Sequence, residues 1–291
     1  MDFNFLIQKI ESLPSLPQAY HKCCFLLERD VTDSKDLAQV VATDPAMTMA
    51  VLKLVNSAFY NIPRKIERLD HAISIIGHTK FRDLILTAAV VKAMSSLASG
   101  AVDMEIFWRH SIYSGLLAKR LALHAYLPNN ERLFLAGLLH DVGQLVYFDL
   151  LETKALKVAE LVNKLGVNVS VAEQKVFGFT HQDIASALCK RWDLPEWLEQ
   201  PVKHYNSPQE SLYFKQEATI VAMANATAQL HYPGLSRLGK VPATRPAILD
   251  DALVWQQINI DQEVLSTVVT DANEQLQSVV QSLVPELSTV K

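Results

Sequence analysis

The chain has 291 residues, of which 49% are hydrophobic and 20% are charged, and this is the composition of an ordinary globular protein. Its formal net charge of −4 provides no bulk attraction for nucleic acid. The longest uncharged apolar run, LILTAAVV at 84–91, is far shorter than the roughly 18–20 residues of a membrane-spanning helix. An acidic second residue with no long apolar segment after it argues against a signal peptide, so we expect a cytoplasmic protein with no membrane partner.

The three cysteines, Cys23, Cys24 and Cys189, do not have the spacing of a zinc site. An odd number with one adjacent pair also argues against a disulfide framework. We interpret all three as small buried hydrophobic residues, which again fits the cytoplasm.

Helical periodicity dominates the sequence. Asp44 and Pro45 have the positions of an N-cap and a first-turn residue, and the apolar residues of 47–58 recur with helical spacing. Thr180 and Asp183 have the spacing of a capping box at the start of another helix. Further stretches with helical periodicity are 105–124, 131–150, 152–165, 181–192, 195–205 and 261–283, whereas the Gly- and Pro-rich stretch 231–247 predicts an irregular surface segment.

Two predicted helices flank Gly77 within residues 70–94, an arrangement that helix-turn-helix DNA readers also use. Between residues 53 and 92 there are seven Lys or Arg residues and three acidic residues. The second helix, FRDLILTAAVVKAM, is nevertheless too apolar to present a polar surface to DNA bases. We therefore expect this helix to pack inside the protein, and we expect no nucleic-acid partner.

A small and polar stretch near 95–105 separates an N-terminal helical half from a half that carries histidines in apolar surroundings. We predict an N-terminal helical subdomain over residues 1–98, a helical core over residues 99–232, and an irregular segment with a C-terminal helix over residues 233–291. The first of these is expected to pack directly on the second, because its apolar helices would otherwise be exposed.

Four histidines and one aspartate are candidate metal ligands. His140 and Asp141 lie next to each other in the apolar run FLAGLLHDVGQLVYF, and burying such a pair costs free energy unless the pair has partners. His110, His181 and His204 lie on other predicted helices, and a helical bundle can bring such residues to one interior site. Imidazoles with a carboxylate suit Zn, Fe, Ni or Mn better than Ca or Mg.

The order of these residues resembles the HD superfamily of metal-dependent phosphohydrolases, and in detail it resembles the HDOD family (HD-related output domain). The Asp-Pro pair at 44–45 and the Asn-Ser pair at 56–57 are typical of the HDOD branch. The stretches that carry the resemblance are LPSLPQ (13–18), TDPAMTMAVLKLVNSAFY (43–60), LDHAISIIGHTKFRDLIL (69–86), GLLHDVGQLV (137–146), GFTHQDIASALCKRWDLPEWL (178–198) and VKHY (202–205).

This resemblance implies an all-α protein of bacterial signalling, built as a multi-helix HD-like bundle with the N-terminal helical subdomain packed on it. It also implies kinship with the HD-GYP phosphodiesterases, which cleave cyclic di-GMP at a multi-metal site. On that basis His110, His140, Asp141, His181 and His204 fall at positions where these relatives have metal ligands.

The sequence departs from the HD-GYP pattern at positions that matter for hydrolysis. Gln144 stands where a lysine is expected, Tyr205 stands where a second histidine would follow His204, and Asn225 replaces the closing aspartate of the superfamily. The GYP motif itself is missing, and GFT at 178–180 occupies that neighbourhood. A neutral amide binds a cation more weakly than a carboxylate, and Gln144 cannot offer a cation to a phosphate.

We therefore predict a regulatory output module that acts through signalling proteins or a small ligand and has a degenerate HD site. Its cofactor would be absent or a single divalent ion of Fe, Mn, Zn or Ni. Three states of the site are consistent with the residues: a structural or ligand-sensing remnant, a bound metal without turnover, or an active metal-dependent phosphohydrolase acting on a nucleotide such as cyclic di-GMP. We predict no catalytic residues for the first two states.

Overall fold

A computed structural model of the chain describes residues 3–27, 33–95, 97, 102–242 and 244–288. Within these ranges the regular structure is helical and no strand occurs, so the all-α prediction is confirmed. The helices are α1 (Phe3–Glu11), α2 (Gln18–Leu27), α3 (Ser34–Ala42), α4 (Pro45–Val55), α5 (Leu69–Ile76), α6 (His78–Ser95), α7 (Met104–His124), α8 (Glu131–Leu139), α9 (Val142–Leu165), α10 (Val169–Phe177), α11 (His181–Arg191), α12 (Glu196–His204), α13 (Lys215–His231), α14 (Ala252–Ile258) and α15 (Val264–Leu283). Short 3₁₀ turns occur at Pro208–Glu210, Leu235–Arg237, Ala247–Leu249 and Pro285–Ser288.

The chain forms two compact units, which are described separately. The histidine unit comprises residues 1–13 and 97–274, and the N-terminal unit comprises residues 14–96 and 275–291. The segments predicted as 1–98, 99–232 and 233–291, and the packing of the first on the second, remain predictions. Five of the eleven residues of the boundary predicted near 95–105 lie outside the described ranges.

In the N-terminal unit, α4 begins as its sequence predicts. The Asp44 side chain accepts a hydrogen bond from the Met47 amide, and Pro45 occupies the first turn. Gly77 ends α5 with a φ of +81°, a conformation that glycine adopts without steric cost. Every residue from 83 to 91 of α6 is buried, in agreement with the expectation that this helix packs inside the protein.

The histidine unit depends on two close helix crossings. A Cβ added to Gly137 on α8 would lie 2.8 Å from the Ser114 carbonyl oxygen on α7. A Cβ added to Gly143 on α9 would lie 2.0 Å from the carbonyl oxygen of His181 on α11. Only glycine fits at such crossings, and these contacts bring together the helices that carry the candidate ligands.

The sequence prediction was wrong about where the helix through the His-Asp pair breaks. The predicted helix 131–150 is two helices in the structure, because α8 ends at Leu139 and α9 begins at Val142. Asp141 lies between them with φ −103° and ψ 8°, which turns its carboxylate toward the unit's interior. The non-helical residue near the predicted 150/152 break is Leu151, where α9 is only kinked.

Other local predictions have mixed outcomes. The capping box of Thr180 and Asp183 is confirmed at the start of α11. Cys23 and Cys189 are buried free thiols, as predicted, and burial raises the pKa of Cys23 to about 12. The prediction that Cys24 is buried was wrong, because this residue is only half-buried. The stretch 231–247 is irregular where described, and residue 243 lies outside the described ranges. Its prediction as a surface segment was wrong at residues 234–236, which are buried.

One helical stretch, Glu131–Leu165, is long and apolar enough to cross a membrane by length and composition alone. Its most apolar window is 89% buried within the protein, which is what the central helices of a globular core show. This stretch contains both α8 and α9, so its apolar character is explained by the core around His140 and Asp141.

Candidate metal centre

His110 on α7 and His140 between α8 and α9 are both buried and both oriented through their Nδ1 atoms. The Nδ1 of His110 lies 2.6 Å from the Tyr232 carbonyl oxygen, and the Nδ1 of His140 lies 2.7 Å from the Gly137 carbonyl oxygen. A carbonyl oxygen can only accept, so each Nδ1 must carry a hydrogen. In the neutral rings both Nε2 atoms therefore keep a free lone pair, as in histidines that bind metal through Nε2.

These two Nε2 atoms and the Asp141 carboxylate converge on one point. The Nε2 atoms of His110 and His140 are 3.3 Å apart. The Nε2 of His110 lies 3.3 Å from Asp141 Oδ2, and the Nε2 of His140 lies 3.3 Å from Asp141 Oδ1. The three residues thus form a buried group that could bind a metal ion.

The spacing of these atoms is informative about what could lie among them. Two ligands bound at about 2.0–2.1 Å around a tetrahedral ion are about 3.3 Å apart, which matches the separation of the two Nε2 atoms and the distance from each of them to one of the two Asp141 oxygens. Without a cation, two lone pairs would face each other next to a carboxylate. An additional proton on one ring or a metal ion removes this repulsion, so the residues present fit a metal.

The Asp141 side chain is ionised at neutral pH. Burial alone would raise its pKa, but the neighbouring His140 and His110 rings outweigh the effect and hold the pKa of Asp141 well below its usual value. A buried carboxylate that remains charged supplies the anionic ligand that a divalent ion requires.

A second set of buried groups supports Asp141 from the other side. Both Glu173 carboxylate oxygens lie within 2.8 Å of His181 Nδ1, and the Glu173 side chain also accepts a hydrogen bond from the His181 amide. The Nε2 of His181 is 2.5 Å from the Tyr205 hydroxyl oxygen, which in turn is 3.0 Å from Asp141 Oδ1. Glu173, His181, Tyr205 and Asp141 therefore form one continuous chain of polar contacts.

The protonation of these four side chains decides the direction of the hydrogen bonds between them. Although burial opposes a charge on His181, the Glu173 carboxylate raises the pKa of His181 above its usual value. Burial, together with Asp141 and Glu173, raises the pKa of Tyr205 far above neutrality, so its hydroxyl keeps its hydrogen. Tyr205 donates to Asp141, so the Tyr205 oxygen is left to accept from His181 when its Nε2 carries a hydrogen. His181 is held as a partner of Glu173 and Tyr205, at 3.4 Å from Asp141 Oδ1.

The chain that follows α13 covers the His-Asp group, and we refer to residues 232–237 as the cover segment. Tyr232 contributes the carbonyl that accepts from His110. A Cβ added to Gly234 would lie 3.1 Å from His110 Cδ2 and 3.3 Å from Asp141 Oδ2, so the backbone passes directly over both side chains. Ser236 is buried and its amide donates to Gln144 Oε1 at 3.1 Å.

The remaining predicted residues lie in other surroundings. His204 is half-buried, and its Nδ1 lies 3.9 Å from a Glu210 carboxylate oxygen, so the structure does not bring it into the group around Asp141. The inward position belongs to its neighbour Tyr205. Asn225 on α13 accepts from the Gln229 side chain at 3.2 Å, and its role as a replaced metal ligand remains a prediction.

Sequence reasoning missed Glu173 and the cover segment. Glu173 is fully buried on α10, a helix that the sequence prediction omitted, although the apolar Val176 and Phe177, three and four residues further along the helix, were a usable signal. Tyr232 and Gly234 had no such signal. Tyr232 acts through its backbone carbonyl, and the need for glycine at 234 arises from helices distant in sequence.

The HDOD domain model matches residues 13–208. The chain belongs to the HDOD family. An uncharacterized protein of Treponema pallidum is 23% identical over 227 residues, which are 76% of this chain and 43% of that protein, so the chain spans less than half of this relative. Gln144 and Tyr205 lie within the matched residues and Asn225 lies outside them, and it remains a prediction that these three replace functional residues of the HD-GYP pattern.

Three solved structures share the fold. An HDOD domain protein with unknown function from Geobacter sulfurreducens has a TM-score of 0.78 at 24% identity, and covers 96% of this chain and 98% of its own. A proposed phosphohydrolase from Shewanella amazonensis has a TM-score of 0.72 at 22% identity, with 96% and 97% covered. A proposed signal transduction protein from Marinobacter aquaeolei has a TM-score of 0.70 at 21% identity, with 94% and 59% covered. At these identities the likeness establishes the fold alone.

Proposed function

We propose that this HDOD protein is a cytoplasmic regulatory module of bacterial signal transduction, which passes on a signal through protein partners or a small ligand. Its HD site would hold a single divalent ion of Fe, Mn, Zn or Ni and would not hydrolyse nucleotides. The family assignment and the signalling description of the Marinobacter aquaeolei protein support the regulatory part of this proposal.

The observation that carries the proposal is the closure of the site. His110, His140 and Asp141 are each at most 4% exposed, and the backbone at Gly234 passes in contact with two of them. A phosphodiester that approached Asp141 along this side would have to displace the cover segment. Enzymes normally bind their substrate in a preformed cleft. A covered site of this kind favours a regulatory role, in which a change at the site is passed on as a signal, over catalytic turnover.

The residues around the group point in the same direction. Gln144 is a neutral amide whose oxygen accepts from the Ser236 amide, so this position supplies no positive charge to a phosphate. Tyr205 donates to Asp141 and contacts His181, and in this way it occupies the space next to Asp141 that a further ligand would need. Two-metal hydrolysis requires two ions about 3.5–4 Å apart, and the part of the chain that the structure describes forms one group of three candidate ligands.

His110, His140 and Asp141 would hold the ion. A bound ion would supply Lewis-acid character and positive charge at this point. The chain itself contributes the orientation of both imidazoles through the Tyr232 and Gly137 carbonyls, a charged carboxylate, and exclusion of water by the cover segment.

Turnover assays test the proposal directly. The purified protein is incubated with cyclic di-GMP and Mn²⁺ or Fe²⁺, and the linear product is followed by chromatography. We expect no product above the level of a His140→Ala variant. Metal-dependent product formation that disappears in His140→Ala would contradict the proposal and support the alternative, a metal-dependent phosphohydrolase acting on a nucleotide such as cyclic di-GMP.

A further inference from the structure

The cover segment is joined to the candidate metal centre at three points. Tyr232 accepts from the ring of His110, Gly234 is packed against His110 and Asp141, and the Ser236 amide donates to Gln144. None of these contacts is made by a charged surface group. They are made by the segment's backbone, so the segment cannot move away without changing all three.

The ends of the cover segment have backbone conformations suited to movement. On its N-terminal side α13 ends at His231, and Tyr232 leaves helical geometry with φ −135° and ψ 79°. On its C-terminal side Leu238 and Gly239 both have positive φ, +48° and +73°. A leucine in this left-handed region is strained, and such positions commonly absorb a change in backbone direction.

We propose that the cover segment is the readout of the metal centre: an ion held by His110, His140 and Asp141 tightens the segment, and an empty centre releases it. The proposal rests on the proposed function, because it assumes that the group binds an ion. The coupling runs through the imidazole of His110. Metal binding at Nε2 makes the Nδ1 hydrogen a stronger donor, which strengthens its bond to the Tyr232 carbonyl.

Coupling of this kind is reciprocal. If the ion stabilises the closed segment, then contacts that hold the segment closed must also raise the affinity for the ion. Because the closed segment covers the ion, the same contacts should slow its release. Gln144 is the contact best placed to show this, because it holds Ser236 and does not belong to the group of ligands. Gln144 therefore has the role of a positioning residue for the cover, in place of the cation that the resemblance to HD-GYP enzymes leads one to expect there.

Hydrogen exchange measures the state of the segment. The full chain is stripped with a chelator, loaded or not with Zn²⁺, and the exchange of the peptide 232–241 is followed by mass spectrometry, with α15 peptides as an internal reference. We expect Zn²⁺ to slow exchange in this peptide by at least about fivefold in the wild type, since the Ser236 amide becomes protected, and to have no such effect in His140→Ala.

Two variants test the reciprocal effect. Gln144→Met removes the acceptor while keeping side-chain length, so the segment should exchange faster and Zn²⁺ should leave to a chelator about five- to tenfold faster, the effect of one lost buried hydrogen bond. Gln209→Met makes the same change at an exposed position and should behave as the wild type. Gly234→Ala disturbs the cover from its other side and should also speed release, which provides a second test if Gln144→Met does not fold.

The outcomes separate this inference from the proposed function. Zn²⁺ that binds through His140 without changing exchange in 232–241, or an unchanged release rate in both cover variants, would overturn the inference and leave the proposed function standing. Failure to bind Zn²⁺, Mn²⁺, Fe²⁺ or Ni²⁺ at all would overturn the inference as well. Cyclic di-GMP hydrolysis together with the expected exchange changes would contradict the proposed function and support the coupling.

Discussion

Asn56 in the N-terminal unit and His140 in the histidine unit both belong to the motifs that characterise this sequence, but their polar atoms are used differently. The Asn56 amide donates to the Leu52 and Ile66 carbonyls at 2.7 Å, and its oxygen accepts from the Ile66 amide at 2.7 Å. All its polar atoms are satisfied by nearby backbone. His140 has one nitrogen satisfied by the Gly137 carbonyl, while the other faces His110 and Asp141.

The difference teaches where to look for function among motif residues. Asp44 and Asn56 fix helix α4 and the chain that follows it, so their motif is explained by local structure. His110 comes from α7, and the adjacent His140 and Asp141 come from the junction of α8 and α9; their free lone pairs face one another. Such convergence costs free energy unless a proton or an ion satisfies it, so it requires an explanation beyond the fold.

The largest expected effect tests the buried polar contacts that run from Glu173 through His181 and Tyr205 to Asp141. Glu173→Ala leaves His181 without its carboxylate partner in a fully buried site, and this should lower the free energy of unfolding by about 3–5 kcal/mol. All four tryptophans lie in the histidine unit, so urea unfolding followed by tryptophan fluorescence reports on that unit. Glu173→Gln keeps an acceptor and should cost less than half as much; equal losses would show that a neutral acceptor at this position does not hold His181 and that the contribution comes from the charge of Glu173.

The next effect concerns Tyr205, which joins His181 to Asp141. Tyr205→Phe removes the hydroxyl and leaves two buried partners unsatisfied, which should cost about 2–3 kcal/mol by the same fluorescence measurement. Tyr213→Phe removes a hydroxyl from a side chain that is 85% exposed, and we expect no measurable change. A Tyr205→Phe protein as stable as the wild type would mean that the polar chain does not support Asp141.

A smaller effect is expected on the other side of the comparison. Asn56→Ala removes three hydrogen bonds to the backbone and should cost about 1–2 kcal/mol, since part of this surface can be satisfied by water. Hydrogen exchange in α4 and α5 measures it, and Gln39→Ala on α3 is an exposed control. Metal binding should be unchanged in Asn56→Ala. Weaker metal binding would contradict the distinction between motif residues that stabilise local structure and motif residues that form the metal centre.

The smallest effect is at Asp44. Burial would raise its pKa, but hydrogen bonds from Lys92 and the Met47 amide dominate and hold the pKa of Asp44 below its usual value. Its stabilising contribution is therefore present above the pKa of an unfolded aspartate, about 3.9, and is lost as the pH falls through the lower folded value. Asp44→Ala should cost about 1 kcal/mol at pH 7 and clearly less near pH 3, as measured by hydrogen exchange or circular dichroism. A cost that did not fall with pH would exclude the ionised cap as its source.

Local signals in the sequence were sufficient for part of this structure. The caps at Asp44 and Thr180 were predictable, because capping depends on residues within one helical turn. The choice between His204 and Tyr205 was not, because neighbouring residues on a helix differ by about 100° in direction and the motif does not say which one faces inward. The contribution of Tyr232 could not be predicted from residue types, since it depends on a carbonyl positioned by α13.

Metal stoichiometry tests the central claim most directly. Wild-type, His140→Ala and Asn56→Ala proteins are loaded with Zn²⁺, desalted and analysed for protein-bound metal, with Mn²⁺, Fe²⁺ and Ni²⁺ in parallel. The account predicts one ion per chain in the wild type and in Asn56→Ala, and none in His140→Ala. An ion content that does not depend on His140, or two ions per chain together with turnover of cyclic di-GMP, would contradict it.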